Sequence, residues 1–209
     1  MTDYTLASRA PFTSLVFSSA PRRGVLFADR DGLGVATVLV RKGQIGALTQ
    51  RVRERFAIEL PRGPRRSASG DVAFAGTAPD AWLATGEAGG NSFASSLKEA
   101  IGAMASVSDQ SSGYAILRLS GPMVRDTLAK ILPIDLHERS FEPGDIASTT
   151  ASHVGATLWR LEDAADGSPV FEIAVFRSLA GSFWHILASS AAEFGLVSQE
   201  TISREFSSE

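Results

Sequence analysis

Two hydrophobic patterns alternate along the chain and divide it into predicted strands and helices. Nearly continuous runs of apolar and β-branched residues are typical of buried strands, and apolar residues spaced three or four apart indicate a helix with one buried face. The run at 33–40 (LGVATVLV) predicts a strand, and the spacing from Ile45 to Phe56 predicts the helix that follows. The same patterns predict strands at 71–76, 82–85, 106–109, 114–119, 146–153, 155–161 and 170–176, and helices at 93–104, 122–132 and 183–194.

The order of these elements predicts an α+β fold. Strand–helix–strand–strand–helix occurs twice, with an extra strand between the halves, which fits two ferredoxin-like α/β units packed as one body. Because the sequences of the halves do not visibly repeat, the duplication rests on element order alone. The predicted division is an irregular N-terminal arm at 1–32, a first half at 33–108, a second half at 109–197 and a tail at 198–209.

The predicted N-terminal arm lacks any sustained periodicity. Pro11, Pro21 and the Asp31-Gly32 pair interrupt it, and such residues are typical of turns and irregular segments. We expect the arm to wrap over another surface, such as a second subunit.

Composition excludes several kinds of chemistry. The chain has 209 residues, which is long enough to bury a core without covalent staples. It has no cysteine, so thiol catalysis, cysteine-ligated zinc and iron–sulfur clusters are excluded. Three histidines disfavour a histidine-rich metal site. No apolar run reaches the ~18–20 residues of a membrane span, and the first residues do not resemble a secretory signal, so we expect a cytoplasmic protein without a membrane partner.

Charge is segregated although the formal net charge is only −3. Residues 41–66 include eight basic and two acidic side chains, and residues 133–172 include two basic and eight acidic ones. Two solvated faces are the favoured interpretation, and the alternative is a basic patch that docks an acidic partner or an anion. Nucleic acid is disfavoured, because the whole chain is acidic and the one aromatic residue of the basic stretch, Phe56, falls on the apolar face of the predicted helix.

One glycine-rich segment imitates a cofactor motif. Residues 32–37 (GLGVAT) resemble a dinucleotide fingerprint, but the segment ends in threonine and leads into a β-branched run. The fingerprint needs a helix N-terminus directly behind its glycines, so we predict no cofactor loop here. The sequence also has no P-loop, no nucleophile elbow and no zinc-protease motif.

Asp109, Gln110 and Ser111 form a polar cluster between two predicted strands. Short polar side chains at the mouth of a sheet can bind a ligand, but an Asx turn is the favoured interpretation because aspartate readily hydrogen-bonds its own backbone two residues on. His137, His153 and His185 lack a catalytic context and are interpreted as structural or surface groups.

The three tryptophans require cover for their large apolar surfaces. We expect Trp82 to lie in the core. Trp159 and Trp184 are candidates for interface anchors, because tryptophan is enriched at interfaces.

A series of short motifs in the second half resembles the gamma subunit of heterotetrameric sarcosine oxidase. Their order and spacing carry the resemblance, which is good over about the last half of the chain, weak in the middle and poor in the N-terminal arm. The motifs are 109–111 (DQS), 115–122 (AILRLSGP), 125–126 (RD), 128–130 (LAK), 134–137 (IDLH), 143–144 (PG), 153–155 (HVG), 158–159 (LW), 176–178 (FRS), 182–185 (SFWH) and 192–195 (AEFG), with 79–83 (PDAWL) as the weaker match.

The resemblance implies a non-catalytic chain that supports assembly of a flavoprotein complex. Such a complex oxidises sarcosine to glycine and produces hydrogen peroxide. Its other product is formaldehyde or, with tetrahydrofolate as co-substrate, 5,10-methylenetetrahydrofolate. FAD, FMN and NAD are then held by other subunits, and the partners are the alpha, beta and delta subunits. The implied fold is that of the folate-binding domain of glycine-cleavage aminomethyltransferase.

No catalytic, cofactor-binding or metal-binding residue is therefore expected in this chain. A folate-like pocket or a partner interface is the remaining candidate site. Its residues are Asp109, Gln110, Ser111, His153, Trp159, Arg177, Trp184 and His185.

Two other functions stay open at this point. A free-standing folate-binding one-carbon transfer protein would use the same fold, with Asp109 as the candidate carboxylate near the folate. An RNA-binding module is disfavoured, because the strands lack the aromatic signature that stacks bases.

Overall fold

A computed structural model describes residues 11–12 and 23–199, which form two β-sheets with the helices packed on them. The strands are β1 Val25–Asp29, β2 Gly34–Val40, β3 Arg66–Ser69, β4 Val72–Ala78, β5 Ala81–Gly86, β6 Ala105–Asp109, β7 Tyr114–Ser120, β8 Ile146–Ala151, β9 Val154–Leu161, β10 Val170–Phe176 and β11 Leu196–Ser198. The helices are α1 Ile45–Phe56, α2 Phe93–Ile101, α3 Val124–Ala129 and α4 Ala180–Ala191, and short 3₁₀ segments lie at Gly90–Ser92, Gly102–Met104 and Arg177–Leu179.

The first sheet has the strand order β3-β4-β5-β2-β6. Without the edge strand β3, this order and the connections through α1 and α2 are those of a ferredoxin-like unit. Leu48 and Val52 of α1 and Leu97 of α2 are fully buried in one cluster with Phe74 and Trp82 of the sheet. Their helical spacing is the one visible in the sequence, so local periodicity and tertiary packing agree here.

The second sheet has the order β11-β1-β7-β10-β9-β8 and is covered by α3 and α4. It departs from a plain ferredoxin-like unit because β1 is inserted between β7 and β11. β1 pairs antiparallel with β7 and parallel with β11. The prediction of an α+β fold with two such units is confirmed. The differences are this insertion and the extra edge strands, β3 in the first sheet and β8 in the second.

The prediction of an irregular arm over 1–32 is wrong at β1. Val25 and Phe27 are buried among the apolar residues of the second sheet, and both neighbouring strands supply hydrogen bonds. A five-residue strand flanked by Pro21 and Gly24 has too little local signal to be recognised, and pairing with distant strands stabilises it. The rest of the arm, apart from residues 11–12, and the tail from residue 200 onwards lie outside the described residues.

Two smaller boundaries also differ from the sequence prediction. The strand predicted over 146–153 ends at Ala151, because Ser152 adopts a left-handed conformation (φ 55°) and forms a hairpin turn with His153. The boundary predicted between 108 and 109 falls a few residues later, since Asp109 still pairs with β2 and the chain crosses between the sheets at 110–113.

The two sheets pack against each other through their inner faces. Trp159 and Ile116 of the second sheet lie with Val35 and Leu83 of the first in one buried cluster. Backbone hydrogen bonds join one edge of the interface, from Arg66 N–H to the Gly144 carbonyl at 2.7 Å. No helix among residues 11–12 and 23–199 is long and apolar enough to cross a membrane.

Candidate site between the two sheets

The polar cluster at Asp109 and Ser111 lies where the chain passes from the first sheet to the second. Asp109 Oδ1 accepts hydrogen bonds from the Ser111 backbone N–H at 2.9 Å and from its hydroxyl at 2.7 Å. The Ser111 hydroxyl in turn accepts the Val35 backbone N–H at 3.0 Å. These bonds form an Asx turn that connects β6 to the start of β2.

The same contacts determine the electrostatics of this turn. Hydrogen bonds from Ser111 favour the charged form of the carboxylate and hold the pKa of Asp109 below its ordinary value. Since both hydrogen bonds come from within the turn, they are explained by local structure. The Gln110 backbone N–H donates to the Val35 carbonyl at 2.8 Å, which completes the connection.

A small cavity lies beside this turn. Ser111 and Arg177 line it, together with Arg30, Leu33 and Tyr114. Its volume is about 20 Å³, which is room for about one water molecule and far below the ~300–1,000 Å³ of ordinary ligand pockets. Burial raises the pKa of the Tyr114 phenol, in keeping with a closed space. As folded here, this cavity does not accommodate a pteridine-sized ligand.

All three tryptophans are buried within the chain. Trp159 and Trp184 are 1% and 2% exposed. The ring of Trp184 packs on Phe27 with a centroid distance of 4.9 Å and on Phe12 at 5.8 Å. The prediction that Trp159 and Trp184 serve as interface anchors is therefore wrong, because the chain's own residues cover them. Trp82 lies in the core as predicted.

The eight residues predicted from the sequence do not form one site. Ser111 and Arg177 line the same small cavity, with Asp109 bonded to Ser111. His153 is exposed at a hairpin tip, and His185 is exposed on α4, on the opposite face of the second sheet from Trp159.

A buried polar network between the sheets centres on a residue that the sequence analysis did not select. Glu172 of β10 is 3% exposed. Its Oε1 accepts Arg118 Nε and Nη2 at 2.9 and 2.7 Å and Arg30 Nε at 3.0 Å. Its Oε2 accepts the Trp159 indole N–H at 2.8 Å. Arg30 also reaches Glu87 through Nη2, at 2.6 Å from Oε2.

The sequence did contain a signal for this network. Glu172 interrupts the apolar run VFEIAVF, and Arg118 interrupts the run YAILRLS. Charged residues are almost never fully buried unless they are paired, so two opposite charges in two buried strands point to each other. Cross-strand register places them opposite one another, and that register is not visible in the sequence.

The basic stretch at 41–66 is not one uniform patch. Arg53 pairs with Glu59 at the surface, and Arg65 pairs with Asp145 across the edge where the sheets meet. Arg66 turns into the space between the sheets. Among the described residues, these three arginines therefore lie in three different environments: the exposed surface, the edge where the sheets meet, and the space between the sheets.

A larger groove lies on the outer surface of the first unit. It separates α1 from the β4–β5 turn at Pro79 and Asp80 and has a volume of about 780 Å³. Arg53 and Arg62 line it together with Glu54 and Asp80, so its charge is mixed. Among residues 11–12 and 23–199, no three His, Cys, Asp or Glu side chains are grouped so that they could hold a metal ion.

Replacing Ser111 by alanine tests the structural role of the turn. We expect the free energy of unfolding to fall by about 1–3 kcal/mol, since the Val35 N–H loses its acceptor. The pKa of Asp109 should rise towards its ordinary value, as measured by NMR titration of the carboxyl carbon. A carboxylate whose pKa is lowered by folding stabilises the fold above its unfolded-state pKa, and this contribution is lost as pH falls through the folded-state pKa. We therefore expect the free energy of unfolding of Ser111→Ala to depend less on pH in this acidic range. Ser108→Ala, at an exposed position of β6, is the matched control and should leave the Asp109 pKa unchanged. An unchanged pKa in Ser111→Ala would contradict the assignment.

Known structures share this arrangement of two sheets. A structure of heterotetrameric sarcosine oxidase from Corynebacterium sp. U-96 in complex with pyrrole 2-carboxylate matches with a TM-score of 0.74 and 22% identity, over 90% of this chain and 96% of that chain. Aminomethyltransferase T of the glycine cleavage system from Bartonella henselae matches with a TM-score of 0.59 and 18% identity, over 84% of this chain and 48% of that chain. None of the curated protein sequences matches this chain.

The fold is thus of the class that sarcosine oxidase and aminomethyltransferase structures share. A family model narrows that class. The sarcosine oxidase, gamma subunit family matches residues 42–193, and the chain belongs to this family. The resemblance seen in the sequence is confirmed.

Proposed function

We propose that this chain is the gamma subunit of a heterotetrameric complex of the sarcosine oxidase type, and that it supports assembly of the complex and contributes no catalytic residue. The complex oxidises the N-methyl group of sarcosine. Sarcosine, oxygen and water give glycine, formaldehyde and hydrogen peroxide, or the one-carbon unit passes to tetrahydrofolate. FAD, FMN and NAD belong to the alpha, beta and delta subunits in this proposal.

The family match over residues 42–193 carries the proposal. The likeness in fold to a heterotetrameric sarcosine oxidase covers nearly the whole of both chains and supports it further.

The geometry between the sheets favours a structural role for the polar residues there. Asp109 is hydrogen-bonded within its own turn, and the cavity beside it holds about one water. Glu172 is engaged by Arg118, Arg30 and Trp159 within the described chain. These groups stabilise the contact between the two sheets, and their structural role supports the proposal that the chain contributes no catalytic residue.

Purification of the tagged chain from its native host tests the proposal. We expect three partner chains to co-purify in constant ratio. The purified complex should show a flavin absorbance spectrum and should release hydrogen peroxide when sarcosine is added. Tetrahydrofolate should lower the formaldehyde yield without lowering sarcosine consumption. A chain that elutes alone and colourless contradicts the proposal, and so does a flavin complex that does not oxidise sarcosine or a related N-methyl amino acid.

The fold likeness to aminomethyltransferase favours a free-standing folate-binding one-carbon transfer protein as the second candidate. Calorimetric titration of the isolated full chain with tetrahydrofolate separates the two. Binding that Asp109→Ala abolishes and Ser108→Ala preserves supports the second candidate. A flat titration excludes it.

A further inference from the structure

Two guanidinium groups bind two carboxylates at the rim between the sheets, and a third guanidinium lies within range of their charges. Arg30 follows β1, Arg118 lies on β7 and Arg66 on β3, and they interact electrostatically with Glu172 and Glu87. Each arginine comes from a different strand region, and the two sheets contribute opposite sides of the cluster. The cluster therefore carries an excess positive charge where the two units join.

The acceptors of this cluster are already engaged. Three guanidinium N–H groups, from Arg118 and Arg30, reach Oε1 of Glu172, and the Trp159 indole occupies Oε2. Glu87 receives Arg30 Nη2 on both of its oxygens. Glu172 thus receives four donors, whereas Glu87 is 47% exposed and binds Arg30 alone among the described residues.

Arg66 carries the third guanidinium. Arg66 of β3 is paired with Ala75 of β4, and Ala75 belongs to the buried cluster between the sheets. Because paired residues on neighbouring strands share a face, the Arg66 side chain points into the space between the sheets. The side chain is half-buried, and none of the hydrogen bonds or ion pairs of the described residues involves its guanidinium. Burial lowers the pKa of Arg66, and the charges of Arg118 and Arg30 lower it further, while Glu172 and Glu87 act in the opposite direction.

Arg118 offers further donor capacity beside it. Its side chain is 32% exposed, against 4% for the Glu172 side chain it binds. Nε and Nη2 are bonded to Glu172, and Nη1 has no partner within the described part of the chain. Glu172 thus holds the Arg118 guanidinium in a fixed orientation with one donor group directed elsewhere.

We infer that Arg66 and Arg118 form a binding site for one oxyanion, a carboxylate or a phosphate, with Glu172 as the positioning residue. A guanidinium presents a planar set of donors that matches the geometry of both anions. A charge that is partly removed from water and left unpaired is unfavourable, and an oxyanion offsets this unfavourable term. The anion is either a free small molecule or an acidic side chain of another subunit, and both present the same chemistry to the site.

Thermal unfolding of the isolated full chain tests for the free anion. Inorganic phosphate and acetate are titrated against chloride at constant ionic strength, with wild type, Arg66→Gln and Arg51→Gln compared. Arg51 is exposed on α1, so its replacement removes the same charge outside the site. We expect a saturable rise in Tm for wild type and Arg51→Gln, and an apparent Kd that increases more than about tenfold in Arg66→Gln.

The complex proposed above provides the second arm, for an anion supplied by a partner. If the isolated chain does not respond to either anion, Arg66→Gln should weaken co-purification of the partner chains, and Arg51→Gln should not. That result identifies the anion as a partner's carboxylate. Failure of the proposed function removes this arm only, because the titration of the isolated chain needs no partner.

Two results overturn the inference. An equal response to phosphate in all three proteins indicates general salt stabilisation. No anion response together with normal assembly of Arg66→Gln means that no oxyanion occupies the site. Arg66→Lys is informative in either arm, because it retains the charge and loses the planar donor set, and an unimpaired lysine variant also contradicts the inferred geometry.

Discussion

Replacement of Glu172 by glutamine should lower the free energy of unfolding by about 3–5 kcal/mol. The carboxylate is 3% exposed and neutralises Arg118 and Arg30 inside the contact between the sheets. Glutamine keeps the volume and removes the charge, so two guanidinium groups lose their buried partner while Trp159 keeps a candidate acceptor. Urea denaturation of the full chain, followed by tryptophan fluorescence, measures the loss.

Glu87→Gln is the matched control for this prediction. Glu87 also pairs with Arg30, but its side chain is 47% exposed, and exposed ion pairs contribute about 0–1 kcal/mol. We therefore expect a loss below about 1 kcal/mol. If Glu172→Gln and Glu87→Gln destabilise equally, the buried network does not hold the two sheets together as the geometry indicates.

Local patterns made much of the fold predictable. The bounds of α1, Ile45–Phe56, coincide with the predicted helix, because its apolar spacing is set by neighbours one turn away. β2 and β10 are likewise near their predicted bounds, because a strand buried on both faces is apolar throughout.

The position of β1 could not be predicted by the same reasoning. Its neighbours in the sheet are β7, which begins at Tyr114, and β11, which begins at Leu196. Nothing within the segment itself indicates either pairing. Contacts so distant in sequence decide whether a short apolar segment becomes a strand.

The candidate site was likewise predictable where its contacts are local in sequence and unpredictable where they are distant. The Asx turn at Asp109 and Ser111 involves residues two positions apart, so the sequence was sufficient to favour it. Glu172 and Arg118 meet through cross-strand register, and Arg66 joins them through the packing of one sheet on another. Those relations require the tertiary structure, although the charges inside two apolar runs were a signal of buried pairing.

Alanine at position 34 should destabilise the protein by about 3 kcal/mol, the upper end for overpacking of a core. Gly34 of β2 lies opposite Gly86 of β5, and Phe93 at the start of α2 packs over both. A Cβ at position 34 would lie 2.2 Å from the Phe93 Cβ and 3.0 Å from the Gly90 carbonyl oxygen. Neither atom is the end of a flexible side chain, so the backbone of the helix start would have to move. Gly46→Ala, in open space on α1, should be neutral or stabilising by up to about 1 kcal/mol.

A double-mutant cycle with Phe93→Ala tests whether glycine is required at position 34 because Phe93 packs against it. Removal of the Phe93 ring takes away atoms that approach position 34, including Cγ at 2.6 Å, so Gly34→Ala should cost less in that background than in wild type. We expect a coupling of about 0.5–3 kcal/mol from urea denaturation. Gly34 of the GLGVAT segment would then be explained by close packing of a helix on a strand pair, and Gly32 by its positive φ of 88°. A glycine that served a phosphate-binding loop would instead tolerate alanine without loss of stability and show no coupling to Phe93.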